Sequence, residues 1–232
     1  MKSYDPTKPI ISLHVPKCAG QSFRAVLEKW FGERFFIHYF QQYNALPRKH
    51  PLQPGICIHG HFNHTKGFGV ENYYSEVDQY LTVLRDPLES AISNYFFWKR
   101  KARIVQLNRK LAGVGAISDG EQSYLNIDDF FRKRPKSTML SFLPKQINAE
   151  NYKEFFESKF VWIGLASSLQ PDVDNLSRKL GFPQIMIERL NVSTRDEYLS
   201  NSIQEDFIAN NSLEFEMYAY VRDKVVNVGI CK

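Results

Sequence analysis

Residues 10–31 read IISLHVPKCAGQSFRAVLEKWF, an apolar run followed by a short polar turn and a segment with periodic apolar residues. The length and composition of the run at 10–15 predict a buried strand. From Phe23 to Trp30 the apolar residues recur at helical spacing, and Gly32 stands where a helix would end. The stretch is therefore predicted to fold as strand, turn and helix, the repeating unit of an α/β domain.

The turn in this unit has the chemistry of an anion-binding site. It consists of Lys17, Cys18, Ala19, Gly20, Gln21 and Ser22. Unpaired N–H groups at a helix N-terminus and the helix dipole attract anions, and the ammonium group of Lys17 would add to both. The turn is not the triphosphate-binding loop GxxxxGK[ST], because its lysine precedes its single glycine. An ordinary turn with a solvated lysine is the competing interpretation.

A second strand-to-helix junction follows the apolar segment 80–84, which stops at Arg85-Asp86-Pro87. Proline is favoured at the first helical position because its missing N–H would be unpaired there. Apolar residues then repeat at helical spacing through Phe96. Arg85 is therefore expected at the carboxyl end of a strand, either as an anion ligand or as a structural ion-pair partner of Asp86.

Residues 55–62, GICIHGHF, predict a third strand with two chemically different faces. Side chains alternate along a strand, so His59 and His61 share the face opposite the isoleucines. An imidazole titrates near neutral pH and can act as a general base. Packing of these histidines in the core and a zinc site completed by His64 are the alternatives.

The remaining segments continue the alternation of strands and helices. Strands are predicted at 35–40 and 160–166, and helices at 172–180 and, as one long element, at 203–226. Residues 100–150 predict helical pieces and loops. The alternation predicts an α/β fold, a single domain over the whole chain with a mostly parallel, P-loop-like central sheet flanked by helices.

Ligands of parallel sheets bind at the carboxyl ends of the strands. Lys17, His59, His61 and Arg85 all follow or end predicted strands, so we expect these side chains to converge on one cleft. That expected convergence is a stronger indication of a binding site than any of the short motifs taken alone.

Composition limits where the protein works. No stretch approaches the roughly 20 apolar residues needed to cross a bilayer, and the first residues contain no apolar signal region. Cys18, Cys57 and Cys231 have no metal-ligand spacing, and so small an odd number favours a reducing compartment. We therefore expect a cytoplasmic protein if Met1 is the native start, the alternative being a trimmed chain that has lost a membrane anchor. Cys18 is expected to be a small turn residue and not a nucleophile, although its position at a possible helix N-terminus would lower the pKa of its thiol.

The net charge of +5 is unevenly distributed. Six basic residues and no acidic one lie between 97 and 110, and a second basic cluster lies at 132–145. A basic middle favours a polyanionic ligand, and residues 100–150 are predicted to line its cleft; a solvated helix face is the alternative. Nucleic acid is disfavoured as a partner, because the chain contains no recognisable nucleic-acid-binding module and its net charge is modest.

Three segments of the chain resemble a known family. VPKCAGQSF is similar to the 5′-phosphosulfate loop of carbohydrate sulfotransferases that use 3′-phosphoadenosine 5′-phosphosulfate (PAPS), a loop usually written PK-T-[AG]-G-[TS]-[ST]. LRDPLESAISNYF resembles the 3′-phosphate motif of the same family, and HGHF resembles the His-Gly-His strand of the uronosyl 2-O-sulfotransferases. With weaker C-terminal similarities, the resemblance covers most of residues 9–222.

The resemblance implies a role for each matching residue. The 5′-phosphosulfate would be held by Lys17, Cys18, Ala19, Gly20, Gln21 and Ser22, and the 3′-phosphate by Arg85 and Ser93. His61 would be the base, assisted by His59, and Lys17 would act on the transferred group. Cys18 stands where threonine is usual, and Gln21 where threonine or serine is usual, so a hydroxyl donor is lost.

The implied function is transfer of a sulfuryl group from PAPS to a carbohydrate hydroxyl, leaving PAP, adenosine 3′,5′-bisphosphate. No metal is expected, because lysine, arginine and backbone donors carry the charge. The alternatives are a small-molecule kinase on a related P-loop fold and a non-catalytic protein that binds a nucleotide or a glycan.

Overall fold

The computed structural model describes residues 1–40, 45–111, 126–188 and 195–230, with the side chains of 105–111 and 226–230 not described. Five strands form one sheet. They are β1 (Ile10–Leu13), β2 (Phe35–His38), β3 (Cys57–Gly60), β4 (Tyr80–Leu84) and β5 (Phe160–Leu165). Every neighbouring pair is parallel and the order is β2-β3-β1-β4-β5. The predicted α/β fold with a mostly parallel sheet is therefore confirmed.

Eight α-helices are described along the chain. They are α1 (Gly20–Phe31), α2 (Val70–Tyr74), α3 (Pro87–Leu111), α4 (Ile127–Lys133), α5 (Tyr152–Lys159), α6 (Leu169–Leu180), α7 (Asn201–Asn210) and α8 (Ser212–Ile230). None of the helices in the described ranges is long and apolar enough to cross a membrane.

The single helix predicted at 203–226 is wrong, because two helices, α7 and α8, occupy that segment. The break is at Asn211, whose backbone leaves the helical region at φ −130° and ψ 28°. Its side-chain amide donates to the carbonyl oxygens of Phe207 at 2.6 Å and Pro135 at 2.8 Å. Asparagine side chains compete in this way with the backbone hydrogen bonds of a helix. The spacing of apolar residues in the sequence does not show where this happens.

Both faces of the sheet are covered. On one face, β1 and β3 contribute Ile11 and Ile58 to a buried cluster that includes Phe156 of α5 and Met217 of α8. On the other face, the strands pack against α1 and α6, with Phe23 at the centre of the contact. The alternation of side chains along each strand supplies both apolar faces.

The strand order places β1 in the centre, between β3 and β4. Leu13 at the end of β1 is in register with Gly60 at the end of β3 and with Thr82 in β4. The segments that follow these three strands therefore leave the sheet side by side at its carboxyl edge. The helical pieces expected within 100–150 include the end of α3 and all of α4; Gly113, Gly115 and Gly120 lie outside the described residues.

Candidate active site

The loop after β1 has an unusual backbone. Lys17 and Ala19 adopt the left-handed region, with φ of 66° and 58°. For non-glycine residues this costs roughly 1–2 kcal/mol each, and such strain concentrates at functional sites. The bend starts α1 at Gly20, and the first helical bond joins the Phe23 N–H to the Ala19 carbonyl at 3.1 Å. The N–H groups of residues 20–22 precede that ladder and point to the carboxyl edge of the sheet.

Lys17 and Arg85 lie side by side at the carboxyl edge of the sheet. Arg85 follows β4 and donates from Nη1 to the backbone carbonyl of Lys17 at 3.4 Å. The Nζ atom of Lys17 lies 4.2 Å from the centre of the Phe97 ring. Burial lowers the pKa of Lys17, and the positive charges of Arg100 and Arg85 lower it further. This edge of the sheet therefore concentrates positive charge, as an anion site requires.

One face of α3 borders the donor loop, the name used here for residues 16–22. Ser90 Oγ donates to the Pro16 carbonyl at 3.3 Å, and Phe97 lies under Lys17. Ser93 is spaced three residues after Ser90 and four before Phe97, so it lies on the same helical face. Helical spacing thus puts Ser93 on the side of α3 that faces the donor loop.

Arg85 is paired with a carboxylate of α3. Glu89 Oε2 accepts from Arg85 Nη2 at 3.1 Å, and the same carboxylate receives both Nη atoms of Arg195, at 3.1 and 2.6 Å. These hydrogen bonds and charges, those of Arg195 first, lower the pKa of Glu89. Asp86 instead caps α3, accepting from the Glu89 N–H at 3.0 Å. The ion pair considered for Arg85 is therefore made with Glu89 and not with Asp86.

His61 lies at the end of β3 beside the donor loop. Its Nδ1 donates to the His14 carbonyl at 2.8 Å. A carbonyl can only accept, so Nδ1 carries the proton and Nε2 of the neutral ring carries the lone pair. Burial lowers the pKa of His61, which keeps the ring neutral at physiological pH. This tautomer and charge are those of a general base.

His59 lies deeper than His61. Its side chain is buried, and Nδ1 is hydrogen-bonded to Ser12 Oγ at 2.9 Å. Burial holds the pKa of His59 well below its usual value. The ring lies beneath that of His14, with centroids 5.1 Å apart, so any assistance it gives to His61 is through packing.

His14 is the residue of this cluster that the sequence analysis missed. Its ring stacks on His61 with centroids 4.4 Å apart, and its Nδ1 is hydrogen-bonded to the Tyr39 hydroxyl at 2.5 Å. The signal was present in the sequence, because Ser12 and His14 alternate with apolar residues in the run that forms β1. Such alternation places two polar side chains on one face of the strand.

The side chains of Cys18 and Ser22 in the donor loop are directed into the protein. The Cys18 side chain turns into the core, and burial raises the pKa of its thiol to about 12, so the predicted lowering at a helix N-terminus is wrong. Desolvation outweighs the helix dipole at this depth. Ser22 Oγ donates to the Glu188 carbonyl at 3.1 Å. Gln21 is exposed at the start of α1.

The basic segment on α3 is partly neutralised. Lys99 pairs with Asp196 and Glu197, and Arg103 pairs with Asp196. Arg100 is exposed on the face that borders the donor loop. The side chains of Arg109 and Lys110, also part of this segment, lie outside the described residues.

A zinc site formed by His59, His61 and His64 does not assemble in the structure. His64 Nε2 is hydrogen-bonded to the Leu140 carbonyl at 3.1 Å, whereas His59 and His61 are directed to Ser12 and His14. Over the ranges that the structure describes, no three potential ligands come close enough to hold a metal ion.

The fold and the cleft define a class of protein. A parallel sheet with a helix N-terminus, two cations and an imidazole at its carboxyl edge is typical of α/β proteins that bind phosphorylated ligands. The chain belongs to the sulfotransferase family, whose sequence model matches residues 3–226. The family resemblance seen in the sequence is thereby confirmed.

Among solved structures, the chain is similar to a mouse sulfotransferase, SULT7A1, crystallised with PAP. The TM-score is 0.47 at 9% sequence identity, over 89% of this chain and 64% of that one. The chain thus spans less than two thirds of the length of that structure. Curated proteins give no significant match.

Proposed function

We propose that this protein transfers a sulfuryl group from PAPS to a hydroxyl group of a carbohydrate. One observation carries the proposal: the Arg85 guanidinium lies 3.4 Å from the Lys17 carbonyl, with His61 on the other side of β1. Two cations and an imidazole thus lie along one edge of the sheet in a chain of the sulfotransferase family. PAPS carries an anionic group at each end of its ribose, which matches the two cations.

The donor would lie across the ends of β1 and β4. The N–H groups at the start of α1 and the ammonium group of Lys17 receive the 5′-phosphosulfate. Cys18 contributes only its backbone, because its thiol faces the core. Arg85 and Ser93 receive the 3′-phosphate, the arginine through a fork of donors suited to phosphate oxygens.

Transfer requires the acceptor to lose a proton while the leaving phosphate gains charge. His61 Nε2 takes the proton from the acceptor hydroxyl, which becomes the nucleophile that attacks the sulfur atom in line. The bond from sulfur to the bridging oxygen breaks, and PAP leaves. Lys17 has a flexible stem that can bring its ammonium group from the Phe97 ring to that oxygen. These residues supply the charge needed, so the proposal includes no metal.

The acceptor is proposed from the charge beside the cleft. Arg100 is exposed on the α3 face that borders the donor loop. The next residue, Lys101, is also exposed, and its Nζ atom lies 5.2 Å from the centre of the Trp98 ring. Exposed cations beside a hydroxyl-binding cleft favour an anionic carbohydrate over a neutral one.

Ligand binding can test the donor before the acceptor is known. A ligand that binds the folded state raises the unfolding temperature, so we expect PAP to raise it more than AMP or ATP at equal concentration. Turnover is then measured with radiolabelled PAPS and desulfated heparin or chondroitin as hydroxyl acceptors. A larger shift with ATP would support a kinase. PAP binding without transfer to either acceptor would favour the non-catalytic alternative.

A further inference from the structure

His14 connects the two halves of the proposed active site. Its ring lies parallel to that of His61, with 4.4 Å between centroids and 23° between planes. The His14 ring also stacks over the ring of His59, and its Nδ1 is hydrogen-bonded to the Tyr39 hydroxyl. The side chain is only 8% exposed, so its position is fixed by these neighbours.

The edge of the same ring touches the donor loop. A Cβ atom at Gly20 would overlap the His14 ring at Nε2, so glycine is required there for close approach and not for a positive φ. Gly20 is the first residue of α1, where the proposed 5′-phosphosulfate site begins. His14 therefore contacts the donor loop with one edge and the proposed base with one face.

The backbone of His14 holds His61 as well. Its carbonyl accepts from His61 Nδ1 at 2.8 Å, which fixes the plane and the tautomer of the base. Burial, with a smaller contribution from His61, lowers the pKa of His14 to about 3. Its Nδ1 is engaged by the Tyr39 hydroxyl and its Nε2 lies against Gly20, so neither ring nitrogen is placed to take a proton from an acceptor. What His14 supplies is a rigid spacer.

We infer that His14 is a positioning residue that sets the distance between the bound donor and the His61 base. The inference rests on the proposed function. Its physical basis is the steep dependence of transfer rates on alignment, since a displacement of about 1 Å can cost on the order of 10²-fold in rate.

The test is His14→Ala, compared with the wild-type protein. We expect kcat to fall by up to about 10²-fold while PAP binding, measured by calorimetry, changes little. The pKa of His61 should rise towards its usual value, because water enters beside a ring that burial now protects. The titratable groups that face this ring are His14, His59 and Tyr39. The acid limb of the pH–rate profile, and the titration of His61 followed by NMR, should therefore move to higher pH.

His38→Ala is a matched control. It also removes a buried, stacked imidazole, one that packs on Phe62 with centroids 4.3 Å apart. It should reduce stability but leave kcat and the titration of His61 unchanged. If His14→Ala does not fold, His14→Asn keeps an atom near the Tyr39 hydroxyl, removes the ring and gives the same readouts.

A size exchange tests the contact with the donor loop. Gly20→Ala should displace the His14 ring and weaken PAP binding. The double variant Gly20→Ala, His14→Ala has room for the new methyl group, so it should recover PAP binding without recovering kcat.

Two failures can be told apart. A wild-type protein that binds no PAP or transfers no sulfuryl group contradicts the proposed function. A His14→Ala protein whose kcat, or whose His61 titration, equals that of the wild type overturns only the positioning role.

Discussion

The ring of His61 has its proton on a defined nitrogen. Nδ1 donates to a backbone carbonyl, so the lone pair belongs to Nε2. Burial lowers the pKa of this ring, and it stays neutral as the pH falls below its usual value near 6.5. As the proposed base, His61 therefore needs no activation by a neighbouring carboxylate.

His61→Ala tests this assignment. General base catalysis contributes typically about 10²–10⁴-fold, so we expect kcat to fall by that factor. PAP affinity should be retained, because Lys17 and Arg85 remain in place. Single-turnover kinetics and calorimetry on the same preparation measure the two quantities, and near-wild-type turnover would show that another group is the base.

At the scale of the element, α3 organises the proposed donor site. Asp86 caps it, Ser90 contacts the Pro16 carbonyl, and Phe97 supports Lys17. One helix thus fixes the donor loop after β1 and the arginine after β4 relative to each other. Ser93 lies between these contacts, on the same face.

Arg85→Ala should separate the two phosphate sites. If Arg85 binds the 3′-phosphate as proposed, the variant loses charge-assisted hydrogen bonds worth about 1.5–3 kcal/mol, or roughly 10–100-fold in affinity. We expect PAP binding to weaken by that factor and AMP binding to weaken much less, since AMP has no 3′-phosphate. Calorimetry with both nucleotides gives the comparison. Equal losses would mean that Arg85 acts on the loop rather than on the 3′-phosphate.

Glu89→Gln should instead strengthen the binding of PAP. The Glu89 carboxylate is bound by Arg85 and Arg195, so it places negative charge where the 3′-phosphate is proposed to bind. Glutamine keeps an acceptor oxygen and removes that charge, so PAP affinity should increase a few-fold with little change for AMP.

Glu28→Gln is the control for this variant. Glu28 forms a comparable partly exposed pair with Arg24, also four residues apart, on α1. The substitution should leave the binding of both nucleotides unaltered. An unchanged PAP affinity in Glu89→Gln would show that the carboxylate does not compete with the donor.

At the scale of the molecule, several buried histidines make stability sensitive to acid. Burial lowers the pKa of His14 to about 3 and that of His38 to about 4, and holds that of His59 well below its usual value. Each ring is neutral when folded but can take up a proton when unfolded. Stability is therefore lost as the pH falls from the unfolded value near 6.5 towards these folded values.

Chemical unfolding between pH 7 and pH 4 measures this loss. Each such histidine makes the free energy of unfolding decrease more steeply with falling pH, by up to about 1.4 kcal/mol per pH unit. His38→Ala should be less stable than the wild type at pH 7 and should show a shallower fall. A wild-type stability that does not change across this range would contradict the burial of neutral histidines.

The sequence by itself determined the local units of this protein. Apolar periodicity and proline placement located β4 at 80–84 and the start of α3 at Pro87 as the structure has them, and the order of motifs predicted the parallel sheet. It also predicted that Lys17 and Arg85 come close together at the carboxyl edge of the sheet, as the 3.4 Å hydrogen bond shows. These features depend on short stretches of chain, or on the rule that parallel strands present their ligands at one edge.

Only the tertiary structure decided how deep each side chain lies and which others it touches. Cys18 turns into the core, and His14 lies between His59 and His61, residues more than 40 positions away in the chain. Periodicity reports which face of an element is apolar, but burial and stacking depend on which strands become neighbours. The pairing of β3 and β4 on either side of β1 depends on long-range packing, and this pairing brings the residues of the site together.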